Sequence, residues 1–294
     1  MRKEASVICN AFIGDSLFAS SVIEQLKDQL GYTDVRFYIR FKQPLELLRE
    51  NPYIGSNVYM IGEGPSPSGD IFQIPKTHWR ETPPLQFQRH CGIPSPTNRY
   101  TVYVPETACN KIRDTIENLR RDYPNIPIIA WQGNWYERTF LFTPQQYWEG
   151  VNIPNLGYGG ARRNIPDIID HLAQEFILIK VGLDNGVTQT DLRASMESYT
   201  HDASIIEQCD WFIGSEGGMS NLAAGIGTRC IITTDFIYQL YGPNGLFTKL
   251  DEPQMGPAKL FPERGHHHLD PFASDREVIE SIANIVRSHP IVIR

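Results

Sequence analysis

The sequence predicts an α/β protein of two doubly wound domains facing across a cleft, and three observations predict it. Short apolar segments rich in β-branched residues alternate with helical patterns along both halves of the chain. Two glycine-bearing turns, Ile13-Gly14-Asp15-Ser16 and Gly214-Ser215-Glu216-Gly217-Gly218-Met219-Ser220, each follow such a segment and open a helical one. A length of 294 residues suits two domains, at roughly 150 residues each, better than one.

Taken in order, Ala5 to Asn10 is a buried strand, and Leu17, Val22, Ile23, Leu26 and Leu30 mark the helix after it, which Gly31 ends. Val35, Phe37 and Ile39 alternate with Arg36, Tyr38 and Arg40 in a second strand, completing a right-handed βαβ unit. A short helix from Pro44 to Arg49 and a short strand from Asn57 to Ile61 follow. From Gly62 to Thr101 neither period is present, and the segment reads as ordered loop in which Trp79, Phe87 and Tyr100 need packing partners. Glu106 to Asp122 is an amphipathic helix with Ile112, Ile116 and Leu119 on one side. Tyr123-Pro124-Asn125 breaks the pattern and is taken as the domain boundary.

Beyond it come a strand from Ile126 to Trp131, an aromatic-rich insertion from Trp135 to Gly160, a helix from Ile165 to Gln174 and a strand from Phe176 to Val181. A short helix from Ser204 to Cys209, a strand from Trp211 to Gly214, the small-residue helix Met219 to Ile226 and a strand from Cys230 to Thr234 complete the second unit. The division is thus an acceptor-side domain over 1–124, a donor domain over 125–274, and a helix over 275–294 packing back toward the first domain. Both domains read as Rossmann-like.

Composition excludes several classes. With 41% hydrophobic and 21% charged residues the chain is ordinary for a globular protein, and no apolar run reaches the roughly 20 residues that span a bilayer. A net charge of −7 opposes a nucleic-acid footprint, which needs clustered positive charge. Five scattered cysteines without a CxxC pair indicate neither a disulfide framework nor a zinc site, and a reducing cytoplasm fits them. His266-His267-His268 invites a metal reading, but consecutive histidines point in different directions, and packing in a loop or solvent exposure fits them better.

Each glycine turn stands where an open α/β sheet binds ligands. Glycine lets the backbone approach, and the unpaired amides of a helix start favour an anion such as a diphosphate. On the residues alone, Asp15 is either the N-cap of a helix starting near Ser16 or a carboxylate facing the cleft, suited to take a proton from an attacking hydroxyl.

The run from Phe212 through Gly214-Ser215-Glu216-Gly217-Gly218-Met219-Ser220-Asn221-Leu222-Ala223-Ala224-Gly225 to Gly227 resembles the donor-diphosphate loop of glycosyltransferase family 9, the bacterial heptosyltransferases, which usually reads G-x-D-T-G-x-x-H-L-A-A-A-x-G. Ile13-Gly14-Asp15-Ser16-Leu17 is similar to the family's N-terminal signature, and Asn51-Pro52-Tyr53-Ile54 to its NPYID-like segment. The resemblance implies a GT-B architecture and a metal-independent, inverting transfer of a hexosyl or heptosyl group from a nucleotide-diphosphate sugar to a glycan or glycolipid hydroxyl. It makes Asp15 the base. Gly14, Gln132, Gly133, Asn134, Ser215, Glu216, Gly217, Gly218, Met219, Ser220 and Asn221 form the donor site, with Arg138, Arg162 and Arg163 near the phosphates and Asp184 near the ribose. Glu216, Gly217 and Asn221 depart from the usual Asp, Thr and His, so the donor is not specified. The implied protein needs no cofactor, binds no nucleic acid, is cytoplasmic, and is compatible with peripheral membrane contact. A non-catalytic nucleotide-sugar or glycan-binding protein, or a nucleotide-sugar epimerase, would share the fold.

Overall fold

The computed structural model describes residues 2–11, 13–75, 82–132, 164–182, 199–215, 217–234, 261–270 and 273–289. Two all-parallel sheets organise them. The first contains β1 (Glu4–Cys9), β2 (Asp34–Ile39), β3 (Val58–Met60) and β4 (Asp70–Gln73) in the order β3-β2-β1-β4. The second contains β5 (Ile128–Gln132), β6 (Ile177–Val181), β7 (Trp211–Ser215), β8 (Arg229–Thr234) and β9 (His267–His268) in the order β6-β5-β7-β8-β9. Helices α1 (Ile13–Leu30), α2 (Leu45–Glu50), α3 (Pro83–His90) and α4 (Glu106–Asp122) precede β5. Helices α5 (Ile165–Leu172), α6 (Tyr199–Gln208), α7 (Gly218–Ile226) and α8 (Asp275–Arg287) follow it. Central strands of such sheets are covered on both faces, which is why β5 and β7 read as unbroken apolar runs.

In each sheet the strand order reverses once. The chain passes from β1 to β2 and β3 on one side and returns to β4 on the other; likewise it passes from β5 to β6 and returns to β7. The carboxyl ends of β1, β5 and β7 therefore flank the switch points where open α/β sheets bind ligands.

The two halves share one apolar core. Val7, Phe18, Leu26 and Phe37 of the first half belong to the same buried cluster as Ile128, Ala130, Phe212 and Leu222 of the second. The stretch before α4 stitches them together: Tyr100 stacks edge-on against Phe18 with ring centroids 5.0 Å apart, its hydroxyl donates to the Asn221 carbonyl, and the Val102 amide donates to Gly225 O at 3.1 Å. Gly225 must be small here, since a β-carbon on it would lie 2.6 Å from Tyr100 Cε2 and 2.7 Å from Val102 Cγ2.

The structure departs from the sequence expectation in several places. Residues 62–101 hold β4 and α3, not loop alone. β4 is a four-residue edge strand whose Ile71 is 56% exposed, so burial imprints no alternation on it. α3 opens on Pro83-Pro84 and packs on α1 partly through polar groups, with Gln88 Nε2 donating to Ser21 Oγ at 2.9 Å, so it lacks an apolar period. α4, assigned to the segment before residue 124, makes its contacts with the second half: it packs on α6, and Arg120 grips Asp210 with two bonds of 3.2 and 3.1 Å. Among the described residues, the contacts of α8 are with α5 of the second half. Val278, Ile282 and Val286 lie with Ile165, Ile168 and Leu172 of α5 on the outer face of the second sheet. Ser274 and Glu277 close a capping box at its start.

Candidate active site

The first turn of α1 and the first turn of α7 meet. Gly14 is buried, and a β-carbon on it would lie 3.0 Å from Asn221 Nδ2 and 3.7 Å from Gly218 Cα. Reciprocally, a β-carbon on Gly218 would lie 4.0 Å from the Gly14 nitrogen and 3.8 Å from the Tyr199 hydroxyl. The two glycine motifs, some two hundred residues apart in sequence, form one site because each helix starts at the reversal point of its own sheet.

Asp15 is the third residue of α1 and half-buried. Since α1 begins at Ile13, Asp15 is not its N-cap; it stands inside the first turn, where the macrodipole favours an anionic side chain. Its charge is felt by Cys9 at the end of β1, whose thiol is pushed up to about 12, chiefly by burial and then by Asp15.

The α7 turn is built from its own residues. Gly217 has φ 154° and ψ −161°, a conformation that only glycine adopts readily. Ser220 Oγ accepts from the Gly217 amide and donates to the Gly217 carbonyl, both at 2.9 Å. The Gly217 amide is therefore already satisfied, and so is the Ser220 hydroxyl. The first intrahelical bond runs from the Asn221 amide to Gly217 O at 3.0 Å, which leaves the amides of Gly218, Met219 and Ser220 without an intrahelical acceptor. Three adjacent amides of this kind at a helix start suit an anion. The Asn221 side chain is buried beside Gly14, and its Oδ1 has no hydrogen-bond partner.

Around this turn stand the other strand ends. Ser215 Oγ donates to Gln132 Oε1 across the β5/β7 switch point at 3.5 Å. Gly182, directly after β6, has φ +80°, and a β-carbon there would lie 3.8 Å from both Gln132 Cγ and Met219 Cγ. The structure thus brings together Gly14, Asp15, Gln132, Ser215, Gly217, Gly218, Met219, Ser220 and Asn221. The expected roles of Gly133, Asn134, Arg138, Arg162, Arg163, Asp184 and Glu216 fall outside the described residues.

Two residues of the site escape sequence reasoning. Tyr199 and Asp202, three apart, share a face of α6, which begins five residues before the helix expected from Ser204. The Tyr199 hydroxyl donates to Gly218 O at 2.9 Å and so braces the α7 turn. Asp202 Oδ2 accepts from the Gly182 amide at 3.2 Å, while Oδ1 is buried with no partner. A buried polar face on a helix was the only available signal, and it appears once Tyr199 is included in the helix.

Burial pushes the Asp202 carboxyl from the ordinary 3.8 up to about 7, against the smaller opposing effect of the Gly182 hydrogen bond. Folding therefore favours its protonated form, so its contribution to stability is full below about pH 3.8 and is lost as pH rises through 7. An amide in its place accepts the same Gly182 bond and does not titrate. Asp202→Asn is accordingly expected to gain melting temperature over wild type steadily between pH 4 and pH 8; melting curves that stay parallel across that range would show that the carboxyl is ionised throughout.

The histidine run lies at β9 and not in a loop. His266 Nδ1 accepts from the Cys230 amide at 3.0 Å, and burial lowers its pKa to about 3, so it is neutral. His267 stacks with Trp211 and His289 beside β9. Among the described residues no group of three or more His, Cys, Asp or Glu is arranged to hold a metal ion, and no helix is long and apolar enough to cross a membrane.

Two parallel doubly wound sheets with flanking helices, joined where two helix starts converge, define the GT-B class of α/β fold. Among solved structures, the chain is similar to the glycosyl transferase family 9 protein from Veillonella parvula DSM 2008, with a TM-score of 0.56, 9% identity and 98% of each chain covered. It is similar also to the ADP-heptose lipopolysaccharide heptosyltransferase II of E. coli, with a TM-score of 0.50, 12% identity, and 97% and 99% covered. A third similar structure is the dodecameric iron-containing heptosyltransferase TibC in complex with ADP-D-β-D-heptose, with a TM-score of 0.50, 11% identity, and 98% and 78% covered. At these identities the likeness is one of fold. No protein-family model matches the chain, and no curated protein is significantly similar to it.

Proposed function

We propose that this protein is a metal-independent, inverting glycosyltransferase that moves a sugar from a nucleotide-diphosphate donor to a hydroxyl of a glycan or glycolipid. One observation carries the reading: the Gly14-Asp15 turn of α1 packs against the first turn of α7, whose Gly218, Met219 and Ser220 amides have no intrahelical acceptor. The amides receive the donor diphosphate, as helix starts receive anions. Asp15 takes the proton of the acceptor hydroxyl as that oxygen forms its bond to the anomeric carbon. The bond from the anomeric carbon to the phosphate oxygen breaks on the opposite face, and the departing nucleoside diphosphate keeps the electron pair, its charge held by the amides. Each atom is accounted for without a metal.

The fold's solved relatives include a heptosyltransferase in complex with ADP-D-β-D-heptose, so adenosine donors head the list to be tried, with uridine donors beside them. A thermal-shift panel of nucleoside diphosphates and their sugars, followed by transfer assays with the donors that bind, tests the reading. A protein that binds no nucleotide and transfers no sugar would overturn it. None of the five cysteines forms a disulfide, which suits work in a reducing cytoplasm.

Stabilisation of the leaving group by backbone amides also predicts that EDTA leaves transfer activity essentially unchanged. Loss of activity on chelation, restored by Mg²⁺ or Mn²⁺, would transfer that role to a metal.

A further inference from the structure

Among the described residues, Asp202 is a carboxyl that the structure adds to this site and the reaction leaves unused. It is only 6% exposed, and an acid buried that deeply is normally paired on both oxygens. Here Oδ2 holds the Gly182 amide at 3.2 Å, and Oδ1 has no partner among the described residues. Asn221 Oδ1, across the α7 turn, is orphaned in the same way. The face of α6 that carries Asp202 spans the site: Tyr199 grips Gly218 at the turn, and Asp202 grips Gly182 at the end of β6, where the glycine stands against Gln132 and Met219.

We infer that Asp202 is a specificity-determining residue of the donor site, taking a hydroxyl group of the bound nucleotide sugar on its free carboxyl oxygen. The inference rests on the glycosyltransferase reading and adds to it a residue and a chemical class. A hydroxyl is the partner that fits. It is donor and acceptor at once, so it pairs with the carboxylic acid and with the carboxylate alike, whereas a phosphate is repelled by the carboxylate. The place fits as well: through the Gly182 amide Asp202 reaches the carboxyl end of β6, the strand beside β5, and ligands of doubly wound sheets bind outside the carboxyl ends of the strands near a switch point. The hydroxyl belongs either to the ribose or to the transferred sugar. As a packing residue alone, Asp202 would be poor, since an orphaned buried oxygen destabilises the fold unless a ligand completes it.

Calorimetric titration of the full chain separates the cases. ADP and UDP are compared with their 2′-deoxy and 3′-deoxy forms, and with ADP-glucose and UDP-glucose, on wild type, Asp202→Ala, Asp202→Asn and Gly218→Val. Wild type is expected to bind one ribonucleotide at least on the order of tenfold more tightly than one of its deoxy forms, the usual range for a lost hydrogen bond to a charged group. Asp202→Ala should erase that ratio, Asp202→Asn should lower it severalfold, and Gly218→Val should weaken every ligand while keeping it. If the deoxy forms bind as well as the ribonucleotides and Asp202→Ala instead erases a preference for the glucose-bearing donors, the hydroxyl is that of the transferred sugar, and the inference stands. Should Asp202→Ala fail to fold by circular dichroism, the ratio in Asp202→Asn decides. Nucleotide binding with every ratio unchanged in the Asp202 variants would overturn the inference and leave the glycosyltransferase reading intact. Absence of any nucleotide binding to wild type would overturn both.

Discussion

Asp15→Asn is expected to lower the rate of sugar transfer by a factor on the order of 100 or more while leaving the fold and nucleotide affinity nearly unchanged. The amide keeps the size and polarity of the side chain in the first turn of α1 but cannot take the acceptor's proton. The alternative role, an N-cap, is removed by the helix start at Ile13, and the charge interacts favourably with the helix dipole by roughly 0.3–1 kcal/mol. Measuring kcat for transfer beside the melting temperature separates the two contributions. Full turnover by a well-folded Asp15→Asn protein would remove Asp15 from the chemistry.

The second large effect concerns Gly218. Among the described residues a β-carbon there meets nothing closer than the Tyr199 hydroxyl at 3.8 Å and the Gly14 nitrogen at 4.0 Å, so there is room for the first carbon of a side chain. The branches of valine would crowd the first turn of α7, whose amides are proposed to hold the diphosphate. Gly218→Val should therefore weaken nucleoside-diphosphate binding by at least an order of magnitude with only a small drop in melting temperature, because the lesion is in the ligand site. Asn221→Ala should act in the same direction and less strongly. Gly225 supplies the contrast: its β-carbon would collide with Tyr100 and Val102, so Gly225→Ala should lower stability by about 1–3 kcal/mol through overpacking. Equal nucleotide affinity in wild type and a folded Gly218→Val protein would mean that the diphosphate binds elsewhere.

Much of this architecture is legible in the chain itself. Strands such as β5 and β7 are covered on both faces and carry that burial as unbroken apolar runs, while α4 carries its single covered face as an apolar stripe. The two glycine turns announce themselves because a strand end, a glycine and a helix start are all local features. β4 and α3 are not legible, for equally local reasons: the strand is short, exposed and at an edge, and the helix is held partly by Gln88 and Ser21 and not by an apolar stripe.

What the sequence by itself determined is where strands and helices alternate, and hence the α/β class, together with the positions of the two turns able to receive an anion. These depend on each residue's own backbone preferences and on the period with which its neighbours are buried. Only the tertiary structure decided that α1 and α7 meet start to start, that Tyr199 and Asp202 stand beside the α7 turn, that Ser220 uses up the Gly217 amide, and that α8 covers α5. The physical reason is that burial leaves a mark on the sequence of the buried element but none that names its partner. Which groups meet across a hundred residues or more follows from the order in which the strands assemble, and that order is a property of the whole core.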